Sequence, residues 1–520
     1  MKRRNLTLSM LTLFVVFTSI SHAQITSKQV DQLVNTALQK FNVAGTGVAI
    51  VKDGKVVHMQ GYGLSSATTK ERVNEHTRFA IASNSKAFTS MALALLVDQK
   101  KMKWTDKVVE YIPTFKMYNS YVTDNFTIVD LLTHRSGLGL GAGDLMFFPD
   151  GADFTMDDVV KSFQYHKPQS DFRTKFDYDN LLYMVAGEVV KRVSGKSWSA
   201  FVEDHIMKPL GMNESAGTYE RLKNKKNVAS PHADIKGKLT PLKAFDLGVG
   251  EAAGGINASI SDMAKWVQMH INNGVYGKKK LVSRGNHNFM WTPQTNRNFN
   301  PTSKTRYRTH LNAYGLGWGI KDMKGNMVYS HTGGLPGMLS KVLIVPEMEL
   351  GIIVLTNTSD GGGALFSAVT NTILDSYLGL EDFGWTNKYA ASIKQNSQNT
   401  NKIVDDIWET VSNTKNNSID VANFTGTFKD NWFGKVKIYL KDGQLWFKSL
   451  RSPKLHAKMQ LYKDNTFAMK WPFQDMNADA FAMFSLDKNG KAIGIKMKGI
   501  SPRIDFSFDF QDLDLKRVKE

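Results

Sequence analysis

The sequence predicts an α+β chain. An antiparallel sheet flanked by helices carries an inserted helical subdomain, and a small all-β, barrel-like domain follows it. Three observations carry this expectation. Apolar strand patterns lie near both ends of residues 24–383, a long helical block separates them, and beyond about residue 420 the chain turns into short alternating runs broken by turn signals. At 520 residues, two domains are expected, since single domains hold roughly 100–200 residues.

The elements follow in order. Val30, Leu33, Val34, Ala37 and Leu38 recur at helical spacing and predict a helix from Ser27 to Phe41. Strands Gly47–Lys52 and Lys55–Tyr62 are joined at Asp53-Gly54, a dipeptide suited to a tight hairpin turn. From about Lys86 to Asn273 the pattern is mainly helical, with helices at Ala87–Leu96, Ile128–Leu132, Leu181–Val193 and Ile260–Ile271. Ser340–Val345 and Leu350–Thr356 read as strands around Pro346-Glu347-Met348-Glu349, and a closing helix runs from about Ala364 to Leu378. Residues 384–420 are rich in Asn and read as a loosely packed linker, with at most a short helix at Lys402–Val411. The β domain, 421–520, offers runs at Gly426–Phe428, Val436–Leu440, Gln444–Lys448, Thr466–Trp471, Ala480–Leu486, Ile493–Met497 and Ile504–Phe508. Its many aromatic residues, among them Phe428, Trp432, Phe433, Phe447 and Trp471, are expected to pack its core.

The first 23 residues read as a signal peptide. Lys2, Arg3 and Arg4 precede the apolar run Leu6–Ile20, and Ser21-His22-Ala23 places small residues where a signal peptidase reads them. The expected location is therefore periplasmic or secreted, with no transmembrane segment after cleavage. The chain has no cysteine, which excludes disulfides, a thiol nucleophile and thiolate metal sites. A formal net charge of +18 would draw it to anionic cell-envelope polymers. The basic residues are scattered, apart from Lys223–Lys226 and Lys278–Lys280, and neither run forms a nucleic-acid motif, so no nucleic-acid partner is expected.

Three short patterns carry the chemistry. Ser-x-x-Lys places a lysine over a serine hydroxyl when both lie on one helical face. It occurs three times, at Ser83/Lys86, Ser412/Lys415 and Ser485/Lys488, but only Ser83 opens a strongly apolar helix, where the helix dipole favours developing negative charge. Tyr178-Asp179-Asn180 is the second pattern. A lysine ammonium beside Tyr178 would favour its phenolate, so the pair could share a general-base role, and Asn180 could offer its amide to a substrate carbonyl. The third is Ser330-His331-Thr332-Gly333-Gly334, whose glycines let backbone approach a bound acyl group with an N–H free to donate.

Each pattern is commonplace alone; together and in this order they are specific. The sequence resembles the serine β-lactamase and penicillin-binding-protein superfamily over about Val30 to Leu378, nearest its class C-like branch of esterases and D-aminopeptidases. The stretches Thr127–Leu138 and Tyr314-Gly315-Leu316-Gly317-Trp318 look like further signatures of that branch. The resemblance implies a β-lactamase/transpeptidase-like fold and an acyl-enzyme on Ser83. Lys86 and Tyr178 would move its proton, and the N–H groups of Ser83 and Gly334 would form an oxyanion hole. Asn180, His331, Thr332 and Gly333 would face substrate. No metal or organic cofactor is implied.

One departure bears on substrate. The third motif usually opens with a lysine that helps hold a substrate carboxylate, and here His331 stands in its place. Hydrolysis of a small ester, a D-amino-acid peptide or a cell-wall peptide therefore ranks above a penicillin-binding DD-carboxypeptidase or β-lactamase. A slowly deacylating binding protein and an acyltransferase are the other readings compatible with the same residues. His134 and Arg135 read as structural loop residues, and Tyr314 and Trp318 as packing residues beside a Gly-rich stretch.

Overall fold

A computed structural model describes residues 24–298, 306–414 and 420–519; the signal-peptide reading lies outside them. The sheet is antiparallel and eight-stranded. Its order is Lys55–Gly63, Gly45–Lys52, Leu350–Thr356, Met338–Val345, Asn326–Leu335, Gly319–Met323, Asn312–Tyr314 and Thr295–Asn296. Strands from the two ends of the domain pair as its second and third members, Val48 opposite Val354 and Ile50 opposite Ile352. The first hairpin turns at Asp53 (φ 51°) and Gly54 (φ 70°), the two positive φ values that such a turn requires.

Each face of the sheet buries a different helix set, because strand side chains alternate. Val48, Ile50, Leu343, Ile352 and Val354 pack against helices Ser27–Lys40 and Gly361–Tyr377. On the other face Ala49, Val342 and Ile353 meet helix Ile260–Ile271 and, behind it, helix Ser85–Asp98. The latter is apolar nearly all round and fully enclosed: Phe88, Met91, Leu93 and Leu96 have no accessible surface. Helices Ile128–Leu132 and Leu181–Ser194 form the inserted helical block.

Two expectations are corrected. The Asn-rich stretch is no loose linker: Trp385–Asn413 is one 29-residue helix. Its first half packs Trp385, Tyr389 and Ile393 with the buried residues of helix Gly361–Tyr377. Its second half lays Val404, Ile407, Trp408 and Val411 on Ala468, Phe481 and Ile500 of the β domain. The apolar spacing is helical, while Asn387, Asn396, Asn399, Asn401 and Asn413 mark only the exposed face.

The β domain is a closed eight-stranded barrel, but Ile504–Phe508 is not one of its strands. The ladder closes instead through His456–Lys463, whose Lys, His and Gln residues hide its alternation, and through the short Leu515–Arg517. Phe428, Phe447, Phe467 and Trp471 fill the barrel core as expected. The barrel and the first domain share one continuous apolar core. Arg451 of the barrel bridges Asp153 at 2.7 Å and Asp158 at 2.9 Å.

Candidate active site

The chain around Ser83 is pinned before it becomes helix. Ala82 takes a left-handed φ of 48°, uncommon for a residue with a side chain, and Ala82–Asn84 forms a 3-10 turn leading into helix Ser85–Asp98. Ser340 Oγ donates to the Ile81 carbonyl (2.6 Å) and accepts from the Asn84 amide (2.8 Å), tying the turn to the sheet. Ser85 Oγ accepts from the N–H of Ile256 at 3.1 Å. Gly333 completes this seat. A Cβ there would come closer than 3.0 Å to the Ile81 carbonyl oxygen and to Ser340 Oγ, so only glycine lets this strand pass against the Ser83 turn.

Lys86 follows one turn after Ser83 and is fully buried. Its ammonium donates to Ser83 Oγ at 3.0 Å, to Asn180 Oδ1 at 2.7 Å and to the Ala253 carbonyl at 2.9 Å. Burial lowers its pKa to about 7, against the opposing pull of Asp144 and Asp179. The ammonium also lies 4.9 Å from the centre of the Tyr178 ring.

Tyr178 is brought to the same point, with its hydroxyl on the Ser83 side chain. Burial reverses the expected direction of its titration. Enclosure pushes the phenol well above its ordinary pKa, and the Ser83 contact only partly opposes this, so Tyr178 is a neutral phenol rather than a phenolate. Asn180 takes a further part. Its amide N–H₂ donates to Asp144 Oδ2 at 2.8 Å while its oxygen accepts from Lys86, so it braces the lysine at the edge of the cleft.

His331 is buried. Nδ1 lies 2.6 Å from the Thr332 carbonyl, an acceptor only, so Nδ1 carries the proton and Nε2 accepts from the Tyr314 hydroxyl at 2.8 Å. Burial, reinforced by the Lys86 charge, lowers its pKa to about 3, so it is uncharged at neutral pH. Thr332 and Gly334 are exposed on the same strand and line the cleft beside Ser83.

Several roles here were not marked by the sequence patterns. Asp144 and Asp179 are buried around Lys86, and burial raises both carboxyls, Asp179 to about 7 and Asp144 well above its usual range. His134 accepts from the Asp179 N–H at 3.1 Å and lays its ring 4.2 Å from that of Tyr178, so it shapes the tyrosine's pocket. Arg135 pairs with Asp130 at 2.8 Å as a structural contact, and Trp318 is packed, whereas Tyr314 joins the site through His331. Arg297 lines the cleft with its guanidinium over the Phe176 ring at 4.7 Å and has no ion pair among the described residues. Of the other Ser-x-x-Lys pairs, Ser412 lies in the last turn of the long helix and Ser485 on a barrel strand; neither is near this cleft, and Lys415 lies outside the described residues. A Gly-rich run ending in Asp144 was the one local signal for that residue; Ala253 and, from the C-terminal domain, Arg503, Asp505, Phe506 and Ser507 in the cleft carried none.

A sheet built from both ends of the first domain, with an inserted helical block and a Ser–Lys–Tyr cluster around a buried lysine, defines a β-lactamase/transpeptidase-like domain. Comparison with known proteins agrees. Residues 30–372 match the Beta-lactamase family, and the chain belongs to it. Residues 412–517 match a domain of unknown function, DUF3471. The chain is 26% identical over 444 residues to "Unguisins hydrolase ungD" of Aspergillus violaceofuscus (strain CBS 115571), spanning 79% of this chain and 76% of that protein. It is 27% identical over 337 residues to "Protein flp" of Staphylococcus aureus (strain MW2), spanning 64% of this chain and 63% of that protein. Among solved structures, the octameric penicillin-binding protein homologue from Pyrococcus abyssi superposes with a TM-score of 0.59 at 20% identity, over 94% of this chain and all (100%) of that one. A penicillin binding protein from Bacillus halodurans gives 0.54 at 23% identity, over 65% of this chain and 98% of that one. These likenesses support the fold.

Proposed function

We propose that this chain is an exported serine hydrolase that cleaves an ester or amide bond through an acyl-enzyme on Ser83. The observation that carries the reading is Lys86: a buried amine whose pKa is lowered to about 7, one hydrogen bond from the serine hydroxyl. Such an amine is neutral in a large fraction of molecules at physiological pH and can accept the Ser83 proton as Oγ bonds to the substrate carbonyl carbon. The N–H groups of Ser83 and Gly334 serve the oxyanion. The proton held by Lys86 passes, with Tyr178 as a neutral relay, to the departing oxygen or nitrogen as the original bond breaks. Water then adds to the acyl carbon and gives its proton to the same pair, which returns it to Ser83 Oγ as the acyl C–O bond breaks and the acid is released.

The uncharged His331 favours small esters, D-amino-acid peptides or cell-wall peptides over β-lactams. One observation favours a second reading, a penicillin-recognising peptidase: Arg297 sets a permanent charge in the cleft, within electrostatic reach of Tyr178 and His331. Intact mass after exposure to a fluorophosphonate and, separately, to a penicillin tests both, with Ser83→Ala as control. An adduct with the fluorophosphonate alone, absent in Ser83→Ala, supports the first reading. A lasting penicillin adduct supports the second. An adduct that forms while no ester or peptide is turned over points to a slowly deacylating binding protein, and a new product on adding an amine acceptor points to acyl transfer. No adduct with either reagent on folded protein removes Ser83 as nucleophile.

A further inference from the structure

The segment whose alternation imitates a strand, Ile504–Phe508, leaves the barrel and enters the catalytic cleft of the other domain. Its backbone turns here, and its residues face two domains. Ile504 stays on the barrel, where it fills the space a Cβ on Gly499 would occupy. Phe506 meets the Tyr178 ring edge-on, with centroids 5.8 Å apart. Its carbonyl and ring also lie so close to Gly141 (φ 72°) that a Cβ there would come closer than 3.0 Å to both. Gly141 in turn donates to the Tyr178 carbonyl at 2.7 Å, so the glycine is held between the tyrosine and the barrel. Phe506 keeps 38% of its surface accessible, unusual for a large apolar side chain, and that surface lines the cleft of about 1140 Å³ that contains Ser83.

The next residues fasten the segment. Ser507 Oγ donates to Asp144 Oδ2 at 2.8 Å, the oxygen that also accepts from Asn180. Asp509 accepts from the N–H groups of Gly143 (2.8 Å) and Leu145 (2.9 Å), so its carboxylate closes the loop that presents Asp144. Phe508 sits edge-on against Phe148 at 5.2 Å. A continuous chain of hydrogen bonds therefore leads from the barrel to the nucleophile: Ser507 to Asp144, Asn180 to Asp144, Lys86 to Asn180, and Lys86 to Ser83.

From this geometry we propose that the C-terminal barrel, a domain of unknown function, is a working part of the catalytic site. Phe506 is the specificity-determining wall that limits the bulk of the group bound beside Ser83. Ser507 is a positioning residue that holds Lys86 in place through Asp144 and Asn180. A side chain that fills part of a pocket discriminates among substrates by the methylenes it excludes, each worth about tenfold or more in rate ratio. A brace at three bonds' remove acts on every substrate alike. The proposal rests on Ser83 being the nucleophile.

The test uses the full chain and two fluorophosphonates that differ only in alkyl length, ethyl and decyl, with the rate of Ser83 adduct formation read by intact mass. Phe506→Ala is expected to raise the decyl-to-ethyl rate ratio about tenfold, and Phe506→Trp to lower it. Ser507→Ala is expected to slow both probes by the same factor, and Ser507→Thr, which keeps the hydroxyl, to restore the rate. An unchanged ratio in both Phe506 variants overturns the wall. Equal rates in wild type and Ser507→Ala overturn the positioning role, as does a slowing that Ser507→Thr does not restore. In these outcomes Ser83 is still labelled, so the proposed function stands. Absence of adduct in every folded variant, wild type included, overturns both together.

Discussion

Asn180 Oδ1 accepts a hydrogen bond from Lys86 Nζ at 2.7 Å, and this contact accounts for the lysine's aim at Ser83. An ammonium has three protons, and Asn180, the Ala253 carbonyl and Ser83 take one each. Two of these partners are fixed parts of the protein. The third is the hydroxyl to be activated, so loss of the lysine's proton leaves the neutral amine already facing it.

Lys86 acts as a base only in its neutral form. With its pKa lowered to about 7, acylation of Ser83 is expected to rise as pH rises through about 7 and to level off above it. An unshifted lysine would place that rise near its ordinary value of 10.5. Labelling rates from about pH 5 to about pH 9 decide the matter; a rate still climbing steeply at the upper end would remove Lys86 as the base.

The same burial costs stability, with a defined pH dependence. The folded-state pKa lies below the unfolded one, so the unfolded chain holds more protons between about pH 7 and 10.5. The penalty is full below about pH 7 and fades as pH rises toward 10.5. Lys86→Met removes it, so its stability relative to wild type should be about 2–3 kcal/mol more favourable at about pH 6 than at about pH 9. Denaturant unfolding of both proteins at the two pH values measures this, while the variant is expected to lose acylation. An equal difference at both would mean that the lysine is not depressed.

Gly333→Ala is expected to push strand Asn326–Leu335 away from the Ile81–Ser83 turn, because its methyl meets backbone oxygen rather than a flexible side chain. A loss of about 1–3 kcal/mol in stability should accompany a far larger loss of Ser83 labelling. Wild-type labelling in a folded Gly333→Ala protein would contradict this account of the seat.

Arg297→Ala separates the two readings of substrate. If the guanidinium holds a carboxylate, its removal should slow penicillin acylation about tenfold or more, the size of a charge-assisted hydrogen bond, and leave neutral p-nitrophenyl acetate nearly unaffected. Equal effects on both compounds would assign Arg297 to shaping the pocket through its stack on Phe176.

Much of the fold was legible in the chain because its signals are local. Helices Ile128–Leu132 and Ile260–Ile271, the Asp53-Gly54 hairpin and the central strands follow from periodicity and turn chemistry that each segment carries itself. The helix Trp385–Asn413 was obscured because composition, dominated by its exposed Asn residues, masked a sparse apolar stripe that matters only once two domains supply surfaces for it.

By itself the sequence determined the Ser83–Lys86 pair, which a single helical turn brings together, and marked Tyr178 and His331 by motif. Only the tertiary structure decided what surrounds them. Burial made the Lys86 ammonium a stronger acid and kept Tyr178 protonated, and burial is a property of the whole fold rather than of a residue's neighbours in the chain. Ile504–Phe508 alternates in sequence as a strand does, yet its backbone runs through a turn that leaves Ile504 on the barrel and sets Phe506 against Tyr178 of the other domain. Ser507 and Asp144 lie 363 positions apart and meet at 2.8 Å, a contact that no local pattern encodes because it exists only after both domains have folded and docked.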